Sequence, residues 1–124
     1  MLIGWDVIES DRQWTEVKSF FTGLHPVPTP GPHDYDTLYE VRNGGTPIGM
    51  ATIDGFTTPL LYNIGVKKPY RKQGVGSALL QTALENHEDL FCRVRKDNEP
   101  AIRLCETNGM IRTESMWPHE LWKY

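Results

Sequence analysis

The stretch YRKQGVGSALL, Tyr70 to Leu80, places two glycines one residue apart between a basic cluster and an apolar helical pattern. Glycine in a helix interior costs about 1 kcal/mol relative to alanine, so Gly74 and Gly76 need a reason. A strand–loop–helix junction supplies one. The first backbone N–H groups of a helix have no partner within it, they carry the positive end of its dipole, and glycines clear side chains from the approach. Lys67, Lys68, Arg71 and Lys72 make that approach positive. The stretch reads as an anion-binding helix start; the alternative is a tight helix start with a solvated basic face.

The elements around it fit that junction. Leu60 to Val66 is an apolar, strand-like run leading into the basic loop. Val75, Ala78, Leu79 and Ala83 then repeat at helical spacing from about Gly74 to Glu85. Upstream, Thr37 to Arg42 and Thr46 to Asp54 are strand-like runs joined by Asn43-Gly44-Gly45, a hairpin signal. Leu2 to Ile8 reads as a first strand. Ser10 with Gln13 reads as a capping box opening a helix through about Phe21, with Trp14, Val17, Phe20 and Phe21 as its buried face. Four prolines between Gly23 and Pro32 forbid a continuing helix or a central strand. Downstream, Leu90 to Val94 is a strand, and Asn98 is an N-cap with Pro100 in the first turn. Asn108-Gly109 stops that helix, and two strands, Met110 to Met116 and Glu120 to Tyr124, close the chain. The order β, α, three strands, α, β, α, two strands is that of a mixed α/β sheet.

Bulk properties narrow the function. A chain of 124 residues supports one domain with a real core, without staples. A formal charge of −3 gives no global basic field for nucleic acid, so any anion site is local. No apolar run approaches the roughly 20 residues of a membrane span, and no signal peptide opens the chain. Cys92 and Cys105 lack C-x-x-C spacing and fit a reduced, cytoplasmic protein. The histidines show no ligand-like spacing, so no metal is expected.

Two common phosphate loops do not fit. The dinucleotide-binding fingerprint needs a third glycine where Leu79 stands, and the Walker loop needs a Gly-Lys-Ser/Thr triplet that does not occur. What does fit is the R/Q-x-x-G-x-G/A form of Arg71 to Gly76. It resembles the acyl-CoA loop of the GNAT N-acetyltransferases, as does the surrounding NIGVKKPYRKQGVGSALL. A second stretch, NEPAIRLCETNGM, is similar to the family's later motif through Asn98, Ala101, Leu104, Gly109 and Met110. The resemblance spans roughly Leu38 to Ile111. Two departures stand out: Cys105 occupies the place of the family's usual tyrosine, and one helix with a proline-rich loop replaces two helices before the hairpin, a shortened N-terminal helical region.

The resemblance implies a GNAT-like fold and acetyl transfer from acetyl-CoA to an amine, small-molecule or protein, by a monomer or homodimer. A non-catalytic CoA-binding module is the alternative. The CoA pyrophosphate would rest on the amides of Lys72, Gln73, Gly74, Val75, Gly76 and Ser77 with help from Arg71, and Asn98 belongs to the cofactor side. The pantetheine arm would pair with main-chain groups of Ile64, Gly65 and Val66, with the Val66 amide as oxyanion donor. Glu40 and Tyr62 are candidates for the base, and Cys105 for the acid that protonates the departing thiolate. The acceptor would enter between His25 to Asp36 and Trp117 to Glu120, with Asp36 and Trp117 as its contacts.

Overall fold

The computed structural model describes residues 4–24, 29–55, 58–116 and 119–124. Its strands are β1 (Ile8–Glu9), β2 (Thr37–Asn43), β3 (Thr46–Asp54), β4 (Leu60–Val66), β5 (Phe91–Arg95), β6 (Ile111–Met116) and β7 (His119–Lys123). Its helices are α1 (Trp14–Thr22), α2 (Val75–Asn86) and α3 (Glu99–Thr107), with a 3-10 turn at Lys68–Tyr70. The strands form one sheet in the order β1-β2-β3-β4-β5-β7-β6. The mixed α/β architecture and the single helix before the hairpin are as the sequence implies.

Two expectations at the N-terminus fail. Leu2 and Ile3 of the expected first strand lie outside the described residues, and among the described ones the strand is only Ile8–Glu9, paired with β2. The capping box is not formed: α1 begins after Gln13 with no side-chain cap. Ser10 is still held by the sheet, its N–H donating to the Leu38 carbonyl and its hydroxyl accepting from the Arg12 N–H.

The sheet is covered on two sides. Tyr39, Val41, Ala51 and Ile53 pack with Val75, Leu79, Leu80 and Ala83 of α2 in the larger core. Leu38 and Met50, on the other face, pack with Val17, Phe20 and Phe21 of α1. Two glycines permit these approaches. A Cβ at Gly49 would lie 2.8 Å from Val75, and one at Gly65 would lie 2.5 Å from Leu24 and 3.2 Å from Phe21. Gly65 is thus a contact point for α1, a reason the strand pattern alone did not show. No helix among the described residues is long and apolar enough to cross a membrane.

Candidate active site

β4 has two unlike edges. Toward β3 it is laddered from Leu60 to Val66 with a bulge at Tyr62, and Lys67 N–H extends the pairing to the Ile48 carbonyl at 2.8 Å. Toward β5 it pairs in parallel at only Leu60↔Phe91 and Leu61↔Cys92, after which the strands part. Backbone N–H groups alternate sides along a strand. Since Lys67 and Asn63 direct theirs toward β3, Ile64 and Val66 direct theirs into the fork. Gly65 turns back to β3, so of the three residues implied for the pantetheine arm, Gly65 does not present its amide to the cleft.

The fork opens on a cavity of about 420 Å³ lined chiefly by residues of β4, β5, β7 and α3, among them Tyr62, Ile64, Arg93, Asn98, Cys105 and His119. At its far end β4 runs into the basic loop. Lys72 (φ 63°) and Gly74 (φ 91°) both adopt left-handed backbone, a conformation that curls successive amides around a concavity. Gly74 is the N-cap of α2, which has neither a side-chain cap nor an acidic residue in its first turn. The first intrahelical bond is Ala78 N–H to Gly74 carbonyl, leaving the Val75, Gly76 and Ser77 amides outside the helical ladder. A Cβ on Gly76 would make only ordinary contacts, 3.7 Å to Leu104 and 3.8 Å to Val66. Packing does not demand that glycine, so its bareness fits a ligand.

The loop is braced from outside. Arg71 Nε donates to the Val66 carbonyl at 2.9 Å, Gln73 Nε2 to the Pro69 carbonyl at 3.2 Å, and Trp5 Nε1 to the Gln73 carbonyl at 3.3 Å. Arg71 therefore fastens the loop to β4 as well as charging it. Asn98 caps α3 by accepting from Ala101 N–H, and Ser77 Oγ accepts from Asn108 Nδ2, tying α2 to the end of α3.

The acid–base candidates separate on inspection. Burial alone would raise the Glu40 carboxyl, but hydrogen bonds from Ser10, Arg12 and Arg42 hold it below the usual carboxylate range. Its side chain is fully buried, with Arg12 at 2.7 Å on one oxygen and Arg42 on the other. A carboxylate so clamped is a poor base; Glu40 joins β2 to the segment before α1. Tyr62 is displaced the other way, pushed up first by burial and then by the nearby Asp34 carboxylate. Its phenol stays protonated, which suits a donor and not a base. Cys105 is buried on α3, and contact with Cys92 holds it below the ordinary thiol range while Cys92, whose S–H donates to Met110 Sδ at 3.6 Å, goes up.

On the acceptor side, the Asp36 carboxylate accepts from the Gly55 N–H at 3.1 and 3.2 Å and from the Thr37 hydroxyl. A Cβ on Gly55 would meet Asp36 and His87, the residue that ends α2. Asp36 thus closes a turn at the end of the sheet opposite the anion loop, and the acceptor role expected of it is withdrawn. Trp117 lies outside the described residues. Glu120 is buried and paired with Arg112 at 2.9 Å. Instead, Arg93 and His119 line the fork, and Asp34 stands near enough to Tyr62 to raise its hydroxyl. Asp34 lies in the loop the sequence assigns to the acceptor side, but an Arg in a strand carries no motif, and only the register of β4 against β5 reveals Arg93.

A family model described as the acetyltransferase (GNAT) family matches residues 5–110. The chain belongs to this family. Comparison with curated protein sequences finds no match, but solved GNAT structures superpose well. NAA60 from Arabidopsis thaliana, in complex with acetyl-CoA, aligns with a TM-score of 0.73 at 15% identity, over 96% of this chain and 99% of that one. Naa50 from the same plant, in complex with the bisubstrate analogue CoA-Ac-MVNAL, gives 0.69 at 20% identity, over 94% and 95%. The ribosomal-protein-S18-alanine N-acetyltransferase from Escherichia coli gives 0.68 at 19%, over 95% and 90%. At such identities the likeness concerns the GNAT fold, which these matches follow over 94% or more of this chain.

Proposed function

We propose that this protein transfers an acetyl group from acetyl-CoA to a primary amine by direct attack in a ternary complex. The observation that carries the reading is the free edge of β4 followed, after the turn at Lys68–Tyr70, by the left-handed, uncapped loop at Lys72 to Ser77. A strand edge offers main-chain pairing to an extended amide-bearing arm, and the loop offers amides and cationic side chains to a pyrophosphate. Acetyl-CoA binding by NAA60 supports the same reading.

Acetyl-CoA supplies the activated acetyl thioester. The chain's own groups then have distinct tasks. Amides of Val75, Gly76 and Ser77, with Lys68 and Lys72, neutralise phosphate charge. The Val66 N–H, turned into the fork, is the donor available to charge developing on a carbonyl oxygen there. In the transfer an N–C bond forms and the C–S bond breaks; one amine proton leaves to solvent, and the sulfur gains one. Cys105 Sγ, buried in the same cavity and acidified by Cys92, is the side chain placed to deliver that proton.

The tyrosine that Cys105 replaces favours a second reading, a CoA-binding module without turnover. Free-thiol release from acetyl-CoA across a panel of amines separates the two. Amine-dependent release above the acceptor-free rate is expected; binding of CoA with no release under any condition would establish the module instead.

A further inference from the structure

We propose that Asp34 and Arg93 form a dipolar acceptor site around the Tyr62 hydroxyl. This site selects a primary amine with a carbonyl or carboxylate on the neighbouring carbon, as at the amino end of a peptide, over a bare alkylamine. The inference rests on the amine-acetylation reading above and names its substrate class.

The register sets the geometry. Leu61↔Cys92 is the last pair joining β4 to β5, so Tyr62 and Arg93 are the next residue on each strand, side by side where the strands part. Cys92 belongs to the core shared with α2, so alternation turns Arg93 to the other face. Both Tyr62 and Arg93 line the cavity. Asp34 comes from the loop after α1, near enough for its carboxylate to raise the Tyr62 hydroxyl.

That loop is built to hold the carboxylate. Gly31 N–H donates to Asp34 Oδ2 at 2.6 Å, and a Cβ on Gly31 would lie 2.9 Å from the same oxygen. Trp14 Nε1 fastens the loop to α1 by donating to the Pro30 carbonyl at 3.0 Å. Opposite charges therefore act on one phenol, Asp34 raising and Arg93 lowering its proton affinity. Among the described residues neither charge is in a salt bridge. A ligand with an amine beside a carbonyl oxygen matches both: the amine N–H to Asp34, the oxygen to the guanidinium.

Proton chemistry favours the same class. Glu40 is clamped by two arginines and Tyr62 keeps its proton, so neither serves as base. A lysine-type amine, with a pKa near 10.4, is neutral in only about one molecule in two thousand at pH 7; an α-amino group, near 7.7–8.0, is neutral in roughly one in eight. A site with weak base assistance works on the second kind.

The test compares three acceptors at saturating acetyl-CoA: the C-terminally amidated peptide Ser-Ala-Ala-Ala, Nα-acetyl-lysine amide, and propylamine. The peptide is expected to exceed the lysine derivative at least tenfold in kcat/KM at pH 7. Arg93→Gln should lower the peptide's kcat/KM about tenfold more than propylamine's, the loss of one charge-assisted hydrogen bond. Asp34→Asn should weaken all three amines. Preference for the lysine derivative, or an equal loss on peptide and propylamine in Arg93→Gln, would overturn the proposal. Calorimetric titration of the peptide into the CoA-saturated protein reads binding without turnover. If no amine is acetylated, the transferase reading fails, while peptide binding that weakens in Arg93→Gln upholds the site and binding that does not weaken overturns it.

Discussion

The two edges of β4 differ as much as any two regions of the molecule. One edge is laddered to β3 along its length save for a bulge at Tyr62, flanked by helices that press so closely that Gly49 and Gly65 must lack side chains. The other is joined to β5 by two residue pairs and then abandoned. Paired backbone is satisfied and rigid; unpaired backbone beside a cavity is a recognition surface. One strand thus serves the fold with one side and the ligand with the other. Substitutions should divide accordingly into those that unfold the protein and those that only empty the cleft.

The largest effect is expected on the folding side. Glu40→Gln leaves two arginines facing a neutral amide and should cost about 3 kcal/mol, the low end for a broken buried pair because Arg42 is 41% exposed. The folded carboxyl is held below its unfolded value near 4.3, so this stabilisation is present above that pH. It is lost as pH falls through the folded value. Denaturant unfolding of both proteins from pH 7 to pH 3 should show a gap that closes in acid. Gly76→Glu should do the reverse: the fold survives, since the site around Gly76 is roomy, but a carboxylate enters the phosphate path. At a hundredfold excess of acetyl-CoA over Kd, the ligand stabilises the native state by about 2.7 kcal/mol. That rise in Tm should vanish in the variant, and a shift that persists would remove the loop from the binding site.

Gly65→Ala sharpens the contrast. Its Cβ would press on Leu24 and Phe21, so a loss of about 2 kcal/mol from overpacking is expected. Acetyl-CoA affinity, measured calorimetrically on the folded fraction, should hold, because the Gly65 amide faces β3. The smallest effect is that of Cys105→Ala, about 1 kcal/mol in stability. Because Cys105 is the proposed proton donor, kcat should fall about a hundredfold with unchanged acetyl-CoA affinity; near-constant kcat would assign the thiol to packing.

Much of this was legible before any coordinates. The anion loop announces itself because glycine, positive charge and helix start are all local, and hairpin and N-cap signals at Asn43-Gly44-Gly45 and Asn98 are local too. The failures share the opposite property. Ser10 and Gln13 satisfy the capping pattern, yet Ser10 bonds to Leu38, 28 positions away in sequence. Glu40 reads as a strand carboxylate free to act as base until Arg12 and Arg42 close on it. Gly65 was tied to the ligand, when the pressure comes from α1. Asp36 and Asp34 stand two residues apart in one loop, and only tertiary contacts assign one to Gly55 and the other to Tyr62.

Amide hydrogen exchange along β4, followed by NMR with and without acetyl-CoA, tests the two-edge description most directly. In the free protein Asn63 and Lys67, bonded toward β3, should exchange slowly, and Ile64 and Val66 quickly. Acetyl-CoA should slow Ile64 and Val66 at least tenfold while leaving Asn63 and Lys67 unchanged. If the ligand binds and Ile64 and Val66 keep their free-state rates, the open edge of β4 is not where it lies.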